Sequence, residues 1–69
     1  MGVVYTHHAK QRMLQRNITE KNIIQTVDEP DYTLTSFEER KIAVKCIGSK
    51  AVHVVYKSEK GNIIVITVY

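Results

Sequence analysis

The sequence predicts an α+β fold, with two amino-terminal helices packed on one face of a four-stranded antiparallel meander sheet. Three observations predict it. Apolar residues recur at helical spacing as far as Asp28 and at strand spacing after Pro30. Thr6 and Thr19 each stand just ahead of a helical segment, where a hydroxyl caps the first free amides. The later apolar runs are joined by short polar or glycine-bearing turns, which link antiparallel neighbours.

After the apolar lead-in Val3 to Tyr5, helix one is expected from about His7 to Arg16. At about 100° per residue, Tyr5, Ala9 and Met13 form its buried stripe, Arg16 falls inside the stripe's edge, and Arg12 and His8 lie successively further round. His7 points to the solvated side. Ile18 and Ile23 bracket Thr19 as a hydrophobic staple, so helix two follows at once, about Glu20 to Asp28, with Ile23, Ile24 and Val27 on one face. Pro30 ends it by forcing Glu29 into an extended conformation. Four strands then carry Tyr32 and Leu34, next Ile42, Val44 and Cys46, next Val52, Val54 and Tyr56, and finally Ile63 to Tyr69. The turns are Ser36 to Glu39, Gly48-Ser49-Lys50 and Lys60-Gly61-Asn62. The last strand is apolar on both faces, the pattern of a central or doubly buried strand. With helices on one face only, its other face is expected to meet a partner.

A chain of 69 residues has room for one domain, 1–69, and one small core, so a partner or ligand would supply a large share of its stability. The lone cysteine, Cys46, allows no intramolecular disulfide and no cysteine-rich metal site, which fits a reducing compartment. The opening residues lack the features of a signal peptide and no apolar run is long enough to span a bilayer, so a soluble cytoplasmic protein without a membrane partner is expected. The net charge of +3 is uneven. Residues 1–27 carry four basic and one acidic side chain, residues 28–39 five acidic and no basic, and residues 40–69 six basic and one acidic. Two basic segments flanking an acidic connector permit a phosphate-bearing partner without requiring one.

His8 and Arg12 stand four residues apart, on one face of helix one. In the first turn the helix dipole disfavours imidazolium and attracts anions, which suits a neutral general base beside a phosphate; a capping or half-buried structural histidine is the alternative. Arg16, nearer the stripe, is expected to be a structural tether paired with Asp28, Glu29 or Asp31. If the helices cover Ile42, Val44 and Cys46, strand alternation leaves Lys41, Lys45, His53, Lys57, Thr67 and Tyr69 on the open face. Cations, a titratable ring, a hydroxyl and an aromatic ring are what an RNA-binding surface needs, and also what a solvated sheet face displays. No histidine has a carboxylate at ligand spacing and no glycine-rich phosphate loop is present, so neither a metal nor another cofactor is expected.

The stretch from Tyr5 to Thr19, with its His8-Ala9-x-x-Arg12-Met13-x-x-Arg16 core, resembles the signature of the prokaryotic domain-of-unknown-function family forty-two fifty-eight. Asp28-Glu29-Pro30-Asp31 and the ending Val65 to Tyr69 resemble its other landmarks; Asn17 stands where the family often has glycine, and both residues accept a left-handed turn. That family is similar to RelE-like and BrnT-like toxins, which cleave RNA without a metal. The resemblance implies a toxin-like endoribonuclease of a toxin–antitoxin pair, acting through 2′-hydroxyl attack. His8, Arg12, His53 and Tyr69 would be catalytic and Lys41, Lys45, Lys57 and Thr67 substrate-binding. The implied partners are RNA, ribosome-bound mRNA included, and a cognate antitoxin or a second copy. A non-catalytic RNA-binding or protein-interaction module is the alternative.

Overall fold

A computed structural model describes residues 2–69. In chain order the elements are β1 (Val3–Tyr5), α1 (His7–Arg16), α2 (Glu20–Asp28), β2 (Tyr32–Thr35), β3 (Lys41–Ile47), β4 (Lys50–Glu59) and β5 (Asn62–Val68). The sheet order is β1-β5-β4-β3-β2, with β1 parallel to β5 and every other pair antiparallel.

The expected four-stranded antiparallel meander following two amino-terminal helices, a RelE-like ribonuclease layout, is overturned. The sheet is five-stranded and mixed, and a strand precedes the helices. The physical reason lies in Val3-Val4-Tyr5. Three residues are too few to show a period, and pairing Val3 with Ile63 across the whole chain leaves no turn behind to reveal it. Once β1 is in place, the doubly apolar β5 is explained, because it runs between β1 and β4.

The helix ends follow from local chemistry. Thr6 accepts from the Ala9 amide at 3.0 Å, and Asn17 closes α1 in a left-handed conformation (φ 56°) while Ile18 N–H donates to Met13 O at 2.9 Å. Thr19 and Asn22 exchange side-chain to backbone bonds at 3.1 Å, a full capping box for α2. On α2 the inward residues are Ile23, Thr26 and Val27, whereas Ile24 turns outward and is 45% exposed. Buried Thr26 is satisfied by its own helix, donating to Asn22 O at 2.7 Å.

Ala9, Ile18 and Ile23 from the helical layer meet Val52, Val54, Val65 and Val68 from the sheet, and this cluster is the core. Its register fixes which way each strand faces, because side chains opposite one another on neighbouring strands share a face. Val54 lies in the core opposite Ala43, so Lys41, Ala43 and Lys45 are on the helix-covered face. Ile42, Val44 and Cys46 therefore lie on the uncovered face, the reverse of the expected phase. Alternation sorts a strand into two sets but does not say which one meets the helices. Here the pairing with the core residue Val54 decides it, and Ala43 is fully buried. β5 adds a bulge: Val55 pairs with Thr67 and Tyr56 with Val65, leaving Ile66 unpaired, so Val65 and Val68 both face inward although three residues apart.

The β2–β3 turn closes with Arg40 N–H donating to Phe37 O at 3.1 Å, and it holds two consecutive left-handed residues, Glu38 (φ 57°) and Glu39 (φ 63°). Neither residue suits that conformation, which costs roughly 1–2 kcal/mol per side chain bearing a Cβ and less for asparagine or glycine. Replacing the pair by asparagine followed by glycine (Glu38→Asn with Glu39→Gly) is expected to raise unfolding stability by about 1 kcal/mol, read as a higher urea midpoint at unchanged slope. An unchanged or lower midpoint contradicts strain at this turn.

Candidate functional site

The site is built by the path of α1. Thr6 Oγ1 donates to Ile66 O at 2.7 Å where the helix begins, and Lys50 Nζ donates to Arg16 O at 2.7 Å where it ends. The helix therefore crosses one end of the sheet, from the bulge in β5 to the β3–β4 hairpin. Its rotation about its own axis is set by its contacts: Ala9 and Met13 pack into the core, and Lys10, Leu14 and Asn17 line a groove shared with Tyr5, Thr19 and Glu20 at the start of α2. Helical phase puts His8, Arg12 and Gln15 on the opposite flank, turned away from α2. Arg16 lies beyond the core at the helix terminus and is exposed.

At that end of the sheet the rings of His53 and Tyr69 stack, centroids 4.7 Å apart and planes 7° from parallel. The stack is set by backbone pairing, since His53 and Tyr69 exchange N–H to carbonyl bonds at 2.8 and 2.9 Å. Thr67 is on the same face, opposite Val55. His53 Nδ1 is sealed from solvent without a hydrogen-bond partner among the described residues. That leaves Nε2 as the ring nitrogen open to a partner.

The sequence-derived site residues thus divide. His53, Thr67 and Tyr69 share the uncovered face of the sheet, whereas His8 and Arg12 belong to α1 on the covered side, where Lys50, not singled out by the sequence, meets the helix end. The other lysines stand elsewhere. Lys45 Nζ donates to Glu29 O at 2.8 Å and lies 3.8 Å from Asp31 Oδ1, which ties the end of α2 to β3. Lys41 and Lys57 are at the far end of the sheet, on opposite faces, and Lys57 is 3.4 Å from Glu59. The tethering role expected of Arg16 belongs to Lys45. The Arg16 side chain makes no ion pair among the described residues, and its carbonyl, not its guanidinium, is the group held.

Among the described residues no three His, Cys, Asp or Glu side chains are grouped to hold a metal. Cys46 is exposed on the uncovered face and its amide donates to Asp31 Oδ2 at 2.8 Å. No described helix is long and apolar enough to cross a membrane.

The profile of a family described as a domain of unknown function (DUF4258) matches residues 5–69. The chain belongs to that family. The match runs from the last residue of β1 to Tyr69, so it takes in α1 and all the groups gathered at the sheet end. No curated protein and no solved structure matches the chain.

On the groove side of α1, the Tyr5 hydroxyl is sealed without a partner among the described residues. Its pKa is raised from 10.0, first by burial and then by the Glu20 carboxylate. For a group whose pKa is raised on folding, the stabilising contribution is present below the unfolded value and is lost as pH climbs through the folded one. In an alkaline absorbance titration Tyr5 is expected to ionise above the ordinary tyrosine value, with that late step missing in Tyr5→Phe and moved to lower pH in Glu20→Gln. Loss of an early step in Tyr5→Phe would contradict the assignment.

Proposed function

We propose that this chain binds RNA at the α1 end of its sheet and cleaves it without a metal, as the toxin of a toxin–antitoxin pair. One observation carries the reading: the His53–Tyr69 stack lies at the end of the sheet that α1 spans, where Lys50 meets the end of the helix at Arg16. Arg12, Arg16 and Lys50 suit a phosphate backbone, and Tyr69, backed by His53, offers its free face to a base.

The chemistry is transesterification. A ribose 2′-oxygen attacks the adjacent phosphorus, the P–O5′ bond breaks, and a cyclic phosphate and a 5′-hydroxyl result. His8, exposed in the first turn of α1, takes the 2′-hydroxyl proton, with His53 Nε2 as the other candidate base. Arg12 neutralises charge developing on the phosphorane, and Lys45, tethered to Glu29 O and beside Asp31, has no part in the step. Tyr69 stacks on the base or protonates the leaving oxygen, and Thr67 positions the phosphate. Lys41 and Lys57 have no part in the step. What the proposal shares with RelE-like and BrnT-like toxins is metal-free RNA cleavage, not their layout, and the antitoxin would be a protein that covers this end.

A non-catalytic module is the second reading, favoured by the apolar character of the uncovered sheet face. The two separate in one assay, cleavage of labelled RNA in excess chelator. His8→Ala and Tyr69→Phe are expected to slow cleavage about 10²-fold or more while binding persists, and Arg12→Ala to reduce the salt slope of binding by about 0.7. RNA binding without turnover by the folded wild type leaves the module; neither binding nor turnover removes both RNA readings.

A further inference from the structure

β1 is an edge strand, paired with β5 on one side and with no described strand on the other. In a parallel ladder alternate residues turn both backbone groups to the same neighbour. Gly2 O accepts from the Ile63 amide at 2.9 Å and Thr6 N–H donates to Val65 O at 3.1 Å, so Gly2, Val4 and Thr6 face β5. The amides and carbonyls of Val3 and Tyr5 therefore point outward. A free edge is commonly blunted by lysine, proline or a bulge, and Val3-Val4-Tyr5 has none of them. Beside this edge lies a recess of about 250 Å³. Val3 and Ile63 line it from the sheet, Ile23, Ile24 and Val27 line it from α2, and Asp28, the last residue of α2, is its one charged group.

We propose that the β1 edge and this recess bind an extended segment of a partner protein, which adds to the sheet as a further strand and carries an apolar residue flanked by lysine or arginine on the recess side. Backbone groups and apolar walls call for a strand; charge selects whose strand it is. Side chains of an added strand alternate between faces, so every second one lies beside Val3 and Tyr5 and reaches the recess. Asp28 makes no ion pair among the described residues, and the last turn of α2 has no basic residue to meet the negative end of the helix dipole. Lys45 is already held by Glu29 O and Asp31. Ile24 and Asp28 also line a second recess along α2, where three carboxylates, Glu20, Asp28 and Glu29, face one lysine, Lys21. This flank attracts a cationic segment and repels a polyanion, so the occupant is a protein and not RNA. A second copy does not meet the requirement. The free edges of this chain read Val3-Val4-Tyr5 and Tyr32-Thr33-Leu34-Thr35, and neither carries a cation for Asp28. The proposal does not rest on RNA cleavage, since none of the groups assigned to that step belongs to β1 or α2.

The test is titration of the full chain with a blocked pentapeptide, Lys-Thr-Leu-Thr-Lys, which sets leucine between two lysines on one face and reads the same in either strand direction. Saturable binding is expected, with amide exchange slowed several-fold at Val3 and Tyr5 and unchanged at Val4, which is already bonded to β5. Asp28→Lys in the protein is expected to weaken binding several-fold, as is glutamate in place of both lysines of the peptide. N-methylation of every second peptide amide, in one phase or the other, is expected to abolish binding, because only alternate amides face β1. No saturable binding, or protection that falls elsewhere than Val3 and Tyr5, overturns the proposal. So does binding that tolerates both phases of N-methylation. If Asp28→Lys fails to fold, the glutamate peptide decides: weaker binding supports the assignment of charge, and equal binding overturns it. Protection of Val3 and Tyr5 that grows with the concentration of the chain alone assigns the edge to a second copy and also overturns the proposal.

Discussion

The hydroxyl of Thr6 donates to the Ile66 carbonyl at 2.7 Å and accepts from the Ala9 amide at 3.0 Å, while its own amide donates to Val65 O at 3.1 Å. One residue thereby joins the end of β1, the bulge in β5 and the first turn of α1. The bulge is what makes the joint possible. By leaving Ile66 out of the ladder with β4, it turns Val65 and Val68 both under Ala9 and fixes the angle at which α1 leaves the sheet. The residues that follow inherit their places from it: Ala9 and Met13 inward, His8 and Arg12 on the flank away from α2. At the other end of α1, Lys50 holds the Arg16 carbonyl and completes the span.

Local chemistry was legible in the sequence because it is local. Thr6 and Thr19 cap, Ile18 and Ile23 staple, Asn17 turns left-handed, and Pro30 follows the end of α2, each within a few residues of its cause. What was not legible depends on partners distant in the chain. β1 pairs with residues some 60 positions away and is too short to have a period. The facing of β3 turns on Ala43 beneath the helices, and the two sets of its alternation carry equal weight until that contact is known. Lys41 and Lys45 accordingly move to the covered face, and Lys45 takes the tether expected of Arg16. His53, Thr67 and Tyr69 did fall together, since their alternation phase is the same whichever side the helices choose. Their stacking awaited the register of β4 against the end of β5.

These shifts change the character of the site. A cationic sheet face would have presented scattered lysines to a nucleic acid. Instead the positive groups divide by task, with Lys45 holding α2, Lys57 beside Glu59, and Arg12, Arg16 and Lys50 concentrated where α1 crosses the sheet. The carboxylates of residues 28–39 belong to the end of α2 and to the β2 edge, and Asp31 is occupied by Lys45 and the Cys46 amide. The cationic groups along α1 and the apolar uncovered face of the sheet thus occupy different sides of one small chain.

The placement of the site, on which the functional reading rests, is tested most directly by amide chemical-shift mapping during titration with a short single-stranded RNA. Shifts are expected to concentrate in His8 to Arg16 of α1, around Lys50 and His53, and at Thr67 to Tyr69, and to diminish with added salt. Shifts centred on Lys41, Lys45 and the acidic β2 edge, or none at all with the protein folded, would contradict that placement.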